Sequence, residues 1–279
     1  MGYLENFNYK IEGEPHNPKL IFLHGLMGSG RNWQTVVNAF AGHFQILTFD
    51  QRGHGRSFQP ASGYAPEDYA DDLLKIIDEL GWDKIVLVGH SMGGRNALNF
   101  AYRFSHRTIG LVIEDIGPAP HPKAADRIRR LLAMVPTPFK NRVAARQFFQ
   151  NEFPQKVGEG EMGATLASYF YMNISDQPDG GADWRFSKDG VLASLDLGNA
   201  KDRFFELEGL TMPTLVIRGA QSAELTQPLF EKMLASNPRV QGAVINDAGH
   251  WVHFDQTQAF IEVLDSFFRQ LPLSGLSFD

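Results

Sequence analysis

No stretch constrains this chain more than Val88-Gly89-His90-Ser91-Met92-Gly93-Gly94. Ahead of it lies Lys84-Ile85-Val86-Leu87-Val88, a short, apolar, β-branched run that reads as a buried strand. Behind it, Arg95 to Tyr102 holds good helix formers and no breaker. A strand therefore feeds a helix through G-x-S-x-G, the pattern of a nucleophile elbow. The chain on either side of a serine in so tight a turn must pass closely, and Gly89 and Gly93 lack the Cβ atoms that would collide there. The turn lifts the Ser91 hydroxyl clear of the sheet. It also sets unpaired N–H groups of the helix start beside it, where they favour negative charge. A glycine-rich structural turn can carry the same letters, so the rest of the chain has to decide.

With 279 residues the chain can bury a large core, in one domain or two. A net charge of -6 and no basic stripe give no support for a nucleic-acid partner. There is no cysteine, hence no disulfide, no thiolate nucleophile and no Cys-ligated metal. The N-terminus has no basic region ahead of an apolar core, so no signal peptide is expected and the expected location is cytoplasmic. No apolar run approaches the roughly 18 residues of a membrane span, which argues against a membrane partner.

Taken in order, residues 3 to 12 alternate loosely and predict an edge strand. Lys19 to Leu23 is the first buried strand, running into the glycine-rich loop His24-Gly25-Leu26-Met27-Gly28-Ser29-Gly30. From Gly25 to Asn32 this nearly spells a phosphate-binding loop. Arg31 and Asn32, however, stand where lysine and Ser/Thr are required, and that reading fails. The alternative is an oxyanion loop presenting the N–H of Leu26, with the N–H of Met92 as its partner and His24 bracing the loop. Phe44 to Phe49 is the next strand, followed by Asp50 and Arg52, a site pair or, more simply, a turn network. Pro66 to Leu80 is an amphipathic helix stopped by Gly81. After the elbow come a strand at Gly110 to Glu114 and then Asp115-Ile116-Gly117-Pro118. From Pro118 to about Leu210 strand signals vanish and aromatics crowd helical segments, with an exposed loop near Gln177 to Gly181. Strands return at Thr214 to Arg218 and Gln241 to Ile245, the last ending in Asn246-Asp247-Ala248-Gly249-His250-Trp251 before a closing helix.

A serine hydroxyl needs a base to take its proton as it attacks. Of the nine histidines, His250 is the best placed, because it follows the last strand at the sheet edge where Ser91 sits. His90 and His253 read as structural neighbours. A carboxylate behind the base fixes its tautomer and stabilises the imidazolium.

Strand-H-G-x-x-G-S, D-x-x-G-x-G-x-S, G-H-S-M-G-G and the terminal G-H succeed one another across nearly the whole chain, and in that order they resemble the α/β-hydrolase fold family. The resemblance implies a mostly parallel, eight-stranded α/β sheet with helices on both faces. Residues 1–117 and 211–279 would form the core, and 118–210 an inserted helical cap. In most members the acid comes after the strand here written Thr214 to Arg218, but the corresponding residue is Ser222, which carries no charge. The small YbfF-type esterases, which this chain also resembles, carry the acid one strand earlier, at the position of Asp115. The resemblance thus implies Asp115 as acid, with Glu224 its competitor. Glu114 faces the other side of the sheet, and Asp247 reads as a turn residue.

Together these residues point to a serine hydrolase, a carboxylesterase cleaving small to medium acyl esters, with Ser91 as nucleophile, His250 as base and Asp115 as acid. Leu26 and Met92 supply the oxyanion hole, and Met27, Ile116, Tyr171 and Trp251 line the substrate pocket. No metal or organic cofactor is required, and the expected partner is a small-molecule ester. Carbon–carbon bond hydrolysis, thioester hydrolysis and cofactor-free perhydrolysis use the same triad, and a non-catalytic ligand receptor can share the fold. Dehalogenase and epoxide hydrolase chemistry needs an aspartate where Ser91 stands. Oligomeric state is left open.

Overall fold

The computed structural model describes residues 2–158 and 161–273, so residues 159–160 of the expected insertion, and 1 and 274–279 of the expected core, lie outside the described residues. Nine strands occur among those described: β1 (Tyr9–Glu12), β2 (Lys19–Leu23), β3 (Gln45–Phe49), β4 (Ile85–His90), β5 (Thr108–Glu114), β6 (Ile174–Asp176), β7 (Ala182–Trp184), β8 (Thr214–Gly219) and β9 (Val240–Ile245). The helices are α1 (Gln34–Phe40), α2 (Pro66–Glu79), α3 (Met92–Arg103), α4 (Pro122–Met134), α5 (Arg142–Gln147), α6 (Phe153–Val157), α7 (Glu161–Met172), α8 (Lys188–Gly198), α9 (Phe204–Glu208), α10 (Gln227–Ser236), α11 (Val252–Asp255) and α12 (Thr257–Phe268). Among the described residues, no helix is long and apolar enough to cross a membrane.

Seven strands form one sheet in the order β1-β3-β2-β4-β5-β8-β9, parallel throughout except for β1 against β3. Because side chains alternate along a strand, the central strands are apolar on both faces. Ile21, Leu23, Ile85, Leu87, Leu111 and Ile113 meet α2 and α3 on one side. Leu20, Phe22, Val86, Val88 and Val112 meet α1 and α12 on the other. This is a three-layer α/β arrangement, and every loop at the C-terminal ends of β2, β4, β5, β8 and β9 opens on the same edge.

Seven strands, not eight, is a correction with a local cause. Residues Tyr3–Asn6 form a 3-10 turn whose Tyr3 and Leu4 N–H groups donate to Glu79, so only Tyr9–Glu12 extends along β3. Residues 13–18 then lead straight into β2 and leave no length for another strand.

Between β5 and β8 the chain makes α4 to α9 and, against the expectation of helices alone, the antiparallel hairpin β6–β7. Its strands are three residues long, too short for alternation to be read, and the exposed loop at 177–181 is its turn. Phe148, Phe149, Phe153, Phe170, Trp184 and Phe186 build a separate apolar cluster here, and it includes Met27 from the loop after β2.

One buried cation ties this segment to the elbow helix. Arg95 on α3 donates to the carbonyls of Gly117 (3.3 Å) and Ala119 (3.0 Å) where the segment begins, and of Gly198 (3.0 Å) near its end. Burial, with Arg203 nearby, pushes its guanidinium down to about 10. Arg95→Met leaves three carbonyls without their donor. It is expected to cost about 3 kcal/mol in urea unfolding and to speed proteolysis between residues 118 and 198. Unchanged stability and unchanged cleavage would contradict this role.

Candidate active site

The elbow has the geometry its letters require. Ser91 adopts φ 52°, ψ -119°, a left-handed backbone that costs an L-residue about 1–3 kcal/mol. A Cβ on Gly89 would lie 2.3 Å from the Gly93 carbonyl oxygen, and one on Gly93 would lie 2.4 Å from that of Leu23. Both obstacles are backbone, so neither can yield.

Three loops converge on the serine. His250, in the loop after β9, sets Nε2 2.9 Å from Ser91 Oγ and Nδ1 2.8 Å from Asp115 Oδ2. These partners assign the tautomer: Nδ1–H donates to the carboxylate, and Nε2 accepts from the serine hydroxyl. Asp115 comes directly after β5 and also has a positive φ, 51°, which turns its fully buried carboxylate back over the sheet edge. Its Oδ1 accepts from the Gly219 N–H at 3.0 Å, and its Oδ2 also accepts from the Ser222 hydroxyl. Ser222, the residue that stands where most related chains are expected to carry the acid, thus supports an acid placed on the neighbouring strand. Glu224 pairs with Arg127 and makes no hydrogen bond to His250 among the described residues.

Burial raises the Asp115 carboxyl to about 6, with the Ser222 and Gly219 hydrogen bonds opposing. Burial also lowers His250, helped by Arg127 and His253. At neutral pH the arrangement is therefore an ionised acid behind a neutral base.

Met92 opens α3, and neither its N–H nor that of Leu26 has a hydrogen-bond partner among the described residues. The loop carrying Leu26 is braced by His24, which accepts from the Gln51 N–H (2.9 Å) and donates to the Gly25 carbonyl (2.8 Å). Asp50 accepts from Gly30 N, Arg56 N and Asn8 Nδ2, whereas Arg52 pairs with Asp72, so they serve separate turn networks.

The expected pocket residues divide. Trp251 lies beside His250, with ring centroids 5.7 Å apart, and Ile116 is buried next to Gly94. Met27, at φ 61°, points into the apolar cluster of the segment above. Tyr171 is not brought to the triad; its hydroxyl accepts from Arg142 and Arg146, each at 3.2 Å, in another cleft. The residue that does arrive is Tyr169, whose hydroxyl donates to the Leu26 carbonyl at 3.1 Å and whose ring lies 5.5 Å from Trp251. Two residues apart on a helix are about 200° apart, so α7 can offer the site only one of these tyrosines. The i, i+3, i+4 stripe of Leu166, Tyr169 and Phe170 was the available signal.

A model of the alpha/beta hydrolase fold matches residues 18–257. The chain belongs to the α/β-hydrolase fold family. It is 27% identical over 264 residues to a putative esterase/lipase of Haemophilus influenzae, covering 94% of this chain and 87% of that one. It is 29% identical over 265 residues to the sn-1-specific diacylglycerol lipase ABHD11 of Mus musculus, covering 92% and 83%. Among solved structures, a marine microorganism esterase superposes with a TM-score of 0.81 at 24% identity, over 94% of this chain and 98% of that one.

Beneath the triad of this α/β-hydrolase lies a buried layer. His90 Nε2 donates to the His250 carbonyl at 2.9 Å, and Glu114 accepts from both the backbone N–H (2.9 Å) and Nδ1 (2.8 Å) of His253, on which Trp33 stacks. His90, Glu114 and His253 are the one group among the described residues whose donor atoms, within 4.8 Å of each other, could converge on a cation. Those atoms are already engaged in holding the His250 loop from both ends.

Burial keeps His54 and His90 near 3 and His253 near 4, and lowers His24 and His250 as well. Below about pH 6.5 the unfolded chain binds protons that these five histidines refuse when folded, so stability falls with pH. Glu114, raised by burial to about 7, and Asp115 oppose this, but they are outnumbered. Urea unfolding is expected to show a loss of roughly 2–4 kcal/mol between pH 7.5 and 5. Stability independent of pH over that range would contradict the neutral assignments.

Proposed function

We propose that this protein is a serine esterase acting on small-molecule esters of small to medium acyl groups, with the segment between β5 and β8 as its cap. The observation that carries the reading is the continuous chain Ser91 Oγ–His250 Nε2 (2.9 Å) and His250 Nδ1–Asp115 Oδ2 (2.8 Å) on a strained elbow. The esterase and lipase names of its relatives support the same class of chemistry.

In this mechanism His250 takes the proton of Ser91 as the hydroxyl attacks the ester carbonyl. Negative charge develops on the carbonyl oxygen, where the N–H groups of Leu26 and Met92 and the N-terminus of α3 receive it. The imidazolium is stabilised by Asp115, then protonates the departing alcohol. A water deprotonated by His250 next attacks the acyl-enzyme and frees the acid and Ser91. Ser222 and the Gly219 N–H keep Asp115 ionised and aimed at Nδ1 throughout.

Hydrolysis of p-nitrophenyl esters from acetate to laurate tests this directly. Turnover is expected to peak at the shorter chains. Ser91→Ala and His250→Ala should each lower kcat by roughly 10⁴–10⁶, with little further loss in the double variant. Asp115→Asn should cost about 10³–10⁴, while Glu224→Gln stays within a few-fold of wild type. Collapse in the Glu224 variant with an active Asp115 variant would overturn the acid assignment, and no wild-type turnover on any ester would overturn the esterase reading.

The pH profile gives an independent check. Because burial lowers His250, the neutral base persists below the ordinary histidine value, and the acid limb of kcat/KM is expected to have its midpoint below about pH 6.5. A midpoint at or above that value would contradict a desolvated base.

A further inference from the structure

A second cleft, of about 870 Å³, opens between the loop after β3 and the segment above it, and no residue of the triad lines it. That volume lies within the roughly 300–1,000 Å³ of small-molecule sites. Its walls carry four arginines from three separate elements: Arg56 from the loop after β3, Arg142 and Arg146 from α5, and Arg185 just past β7. In a chain of net charge -6, such crowding of one sign is costly without something to offset it.

Among the described residues, none of the four guanidinium groups has a carboxylate within 4.0 Å, although Asp176 also lines the cleft. The Arg56 and Arg185 side chains donate to no acceptor there at all. Arg142 is oriented by the Ile174 carbonyl and by the Tyr171 hydroxyl, and Arg146 by that hydroxyl alone. The two stack over the Tyr171 ring at 4.8 and 5.8 Å. Burial, together with the like charges of Arg56, Arg142 and Arg31, holds Arg185 below its usual range despite Asp50. The Gln59 side chain donates to the Arg185 carbonyl at 3.2 Å and so fixes the core loop to the opposite wall. The Arg142 and Arg146 guanidinium planes are therefore held in place with donors left over, and those of Arg56 and Arg185 are unspent, an arrangement that suits phosphate and carboxylate oxygens in bidentate fashion.

We propose that this cleft is a binding site for a small, multiply charged oxyanion, a phosphate- or carboxylate-bearing molecule gripped between the core loop and the segment above it. Occupancy joins Arg56 on the core to Arg142, Arg146 and Arg185 on the segment. Tyr171 stands in this cleft two residues from Tyr169, so the anion and the tyrosine that holds the Leu26 carbonyl share one helix.

Isothermal titration at low ionic strength, with pyrophosphate and with citrate as the two probes, tests the site. Arg56 and Arg146 are both exposed, so Arg56→Gln and Arg146→Gln should fold normally. Wild type and Ser91→Ala are expected to bind at least one probe saturably, and each arginine variant to bind it about tenfold more weakly. Pyrophosphate alone binding would identify a phosphate ligand, and citrate alone a carboxylate ligand. Binding of neither probe, binding untouched by both arginine changes, or binding abolished by Ser91→Ala would overturn the proposal.

Discussion

The Asp115 carboxylate is the group on which the rest of the site depends. It is fully buried, and a buried carboxylate is tolerated only where hydrogen bonds replace its lost water. Those bonds come from three places far from Asp115 in the chain: the Gly219 N–H at the end of β8, the Ser222 hydroxyl just beyond, and the imidazole of His250 after β9. Satisfying one acid therefore draws the ends of β5, β8 and β9 together, and the loop that reaches Asp115 also reaches Ser91. The charge that a base would need is the same charge that folding has to solvate.

The residues just before Ser91 and Asp115 form a second, lower tier. His90 precedes Ser91 and Glu114 precedes Asp115, and on a strand consecutive side chains face opposite ways. While Ser91 and Asp115 turn outward on left-handed backbone, His90 and Glu114 point down and take hold of the loop at 250–253 at both ends. Strain at the edge is thus balanced by hydrogen bonds one layer below, where Trp33 closes the stack.

Much of this was legible in the sequence, for physical reasons. The central strands announced themselves because parallel strands buried on both faces must be continuously apolar, and the elbow because only glycine fits where backbone meets backbone. An uncharged Ser222 alongside an available Asp115 was visible; that Ser222 would donate to Asp115 was not. The features that stayed hidden are ones that one dimension does not carry. Tyr171 and Tyr169 are equally aromatic, and only the rotation of α7 decides which reaches Leu26 and Trp251. The β6–β7 hairpin is too short to show a period. The eighth strand was implied by the resemblance and had no room between Glu12 and Lys19. Arg56, Arg142, Arg146 and Arg185 are scattered over the sequence, so their convergence on one cleft exists only in the fold.

Everything proposed for the triad requires that His250 share a proton with Asp115 and not with Glu224. The most direct measurement is low-field proton NMR of the resting enzyme, where an imidazole N–H donating to a buried carboxylate resonates well downfield of the amide envelope. The His250 resonance, told apart from that of His253 on Glu114 by its loss in His250→Ala, is expected in the wild type, retained in Glu224→Gln and lost in Asp115→Asn. A resonance that survives removal of the Asp115 charge and disappears with that of Glu224 would contradict the assignment.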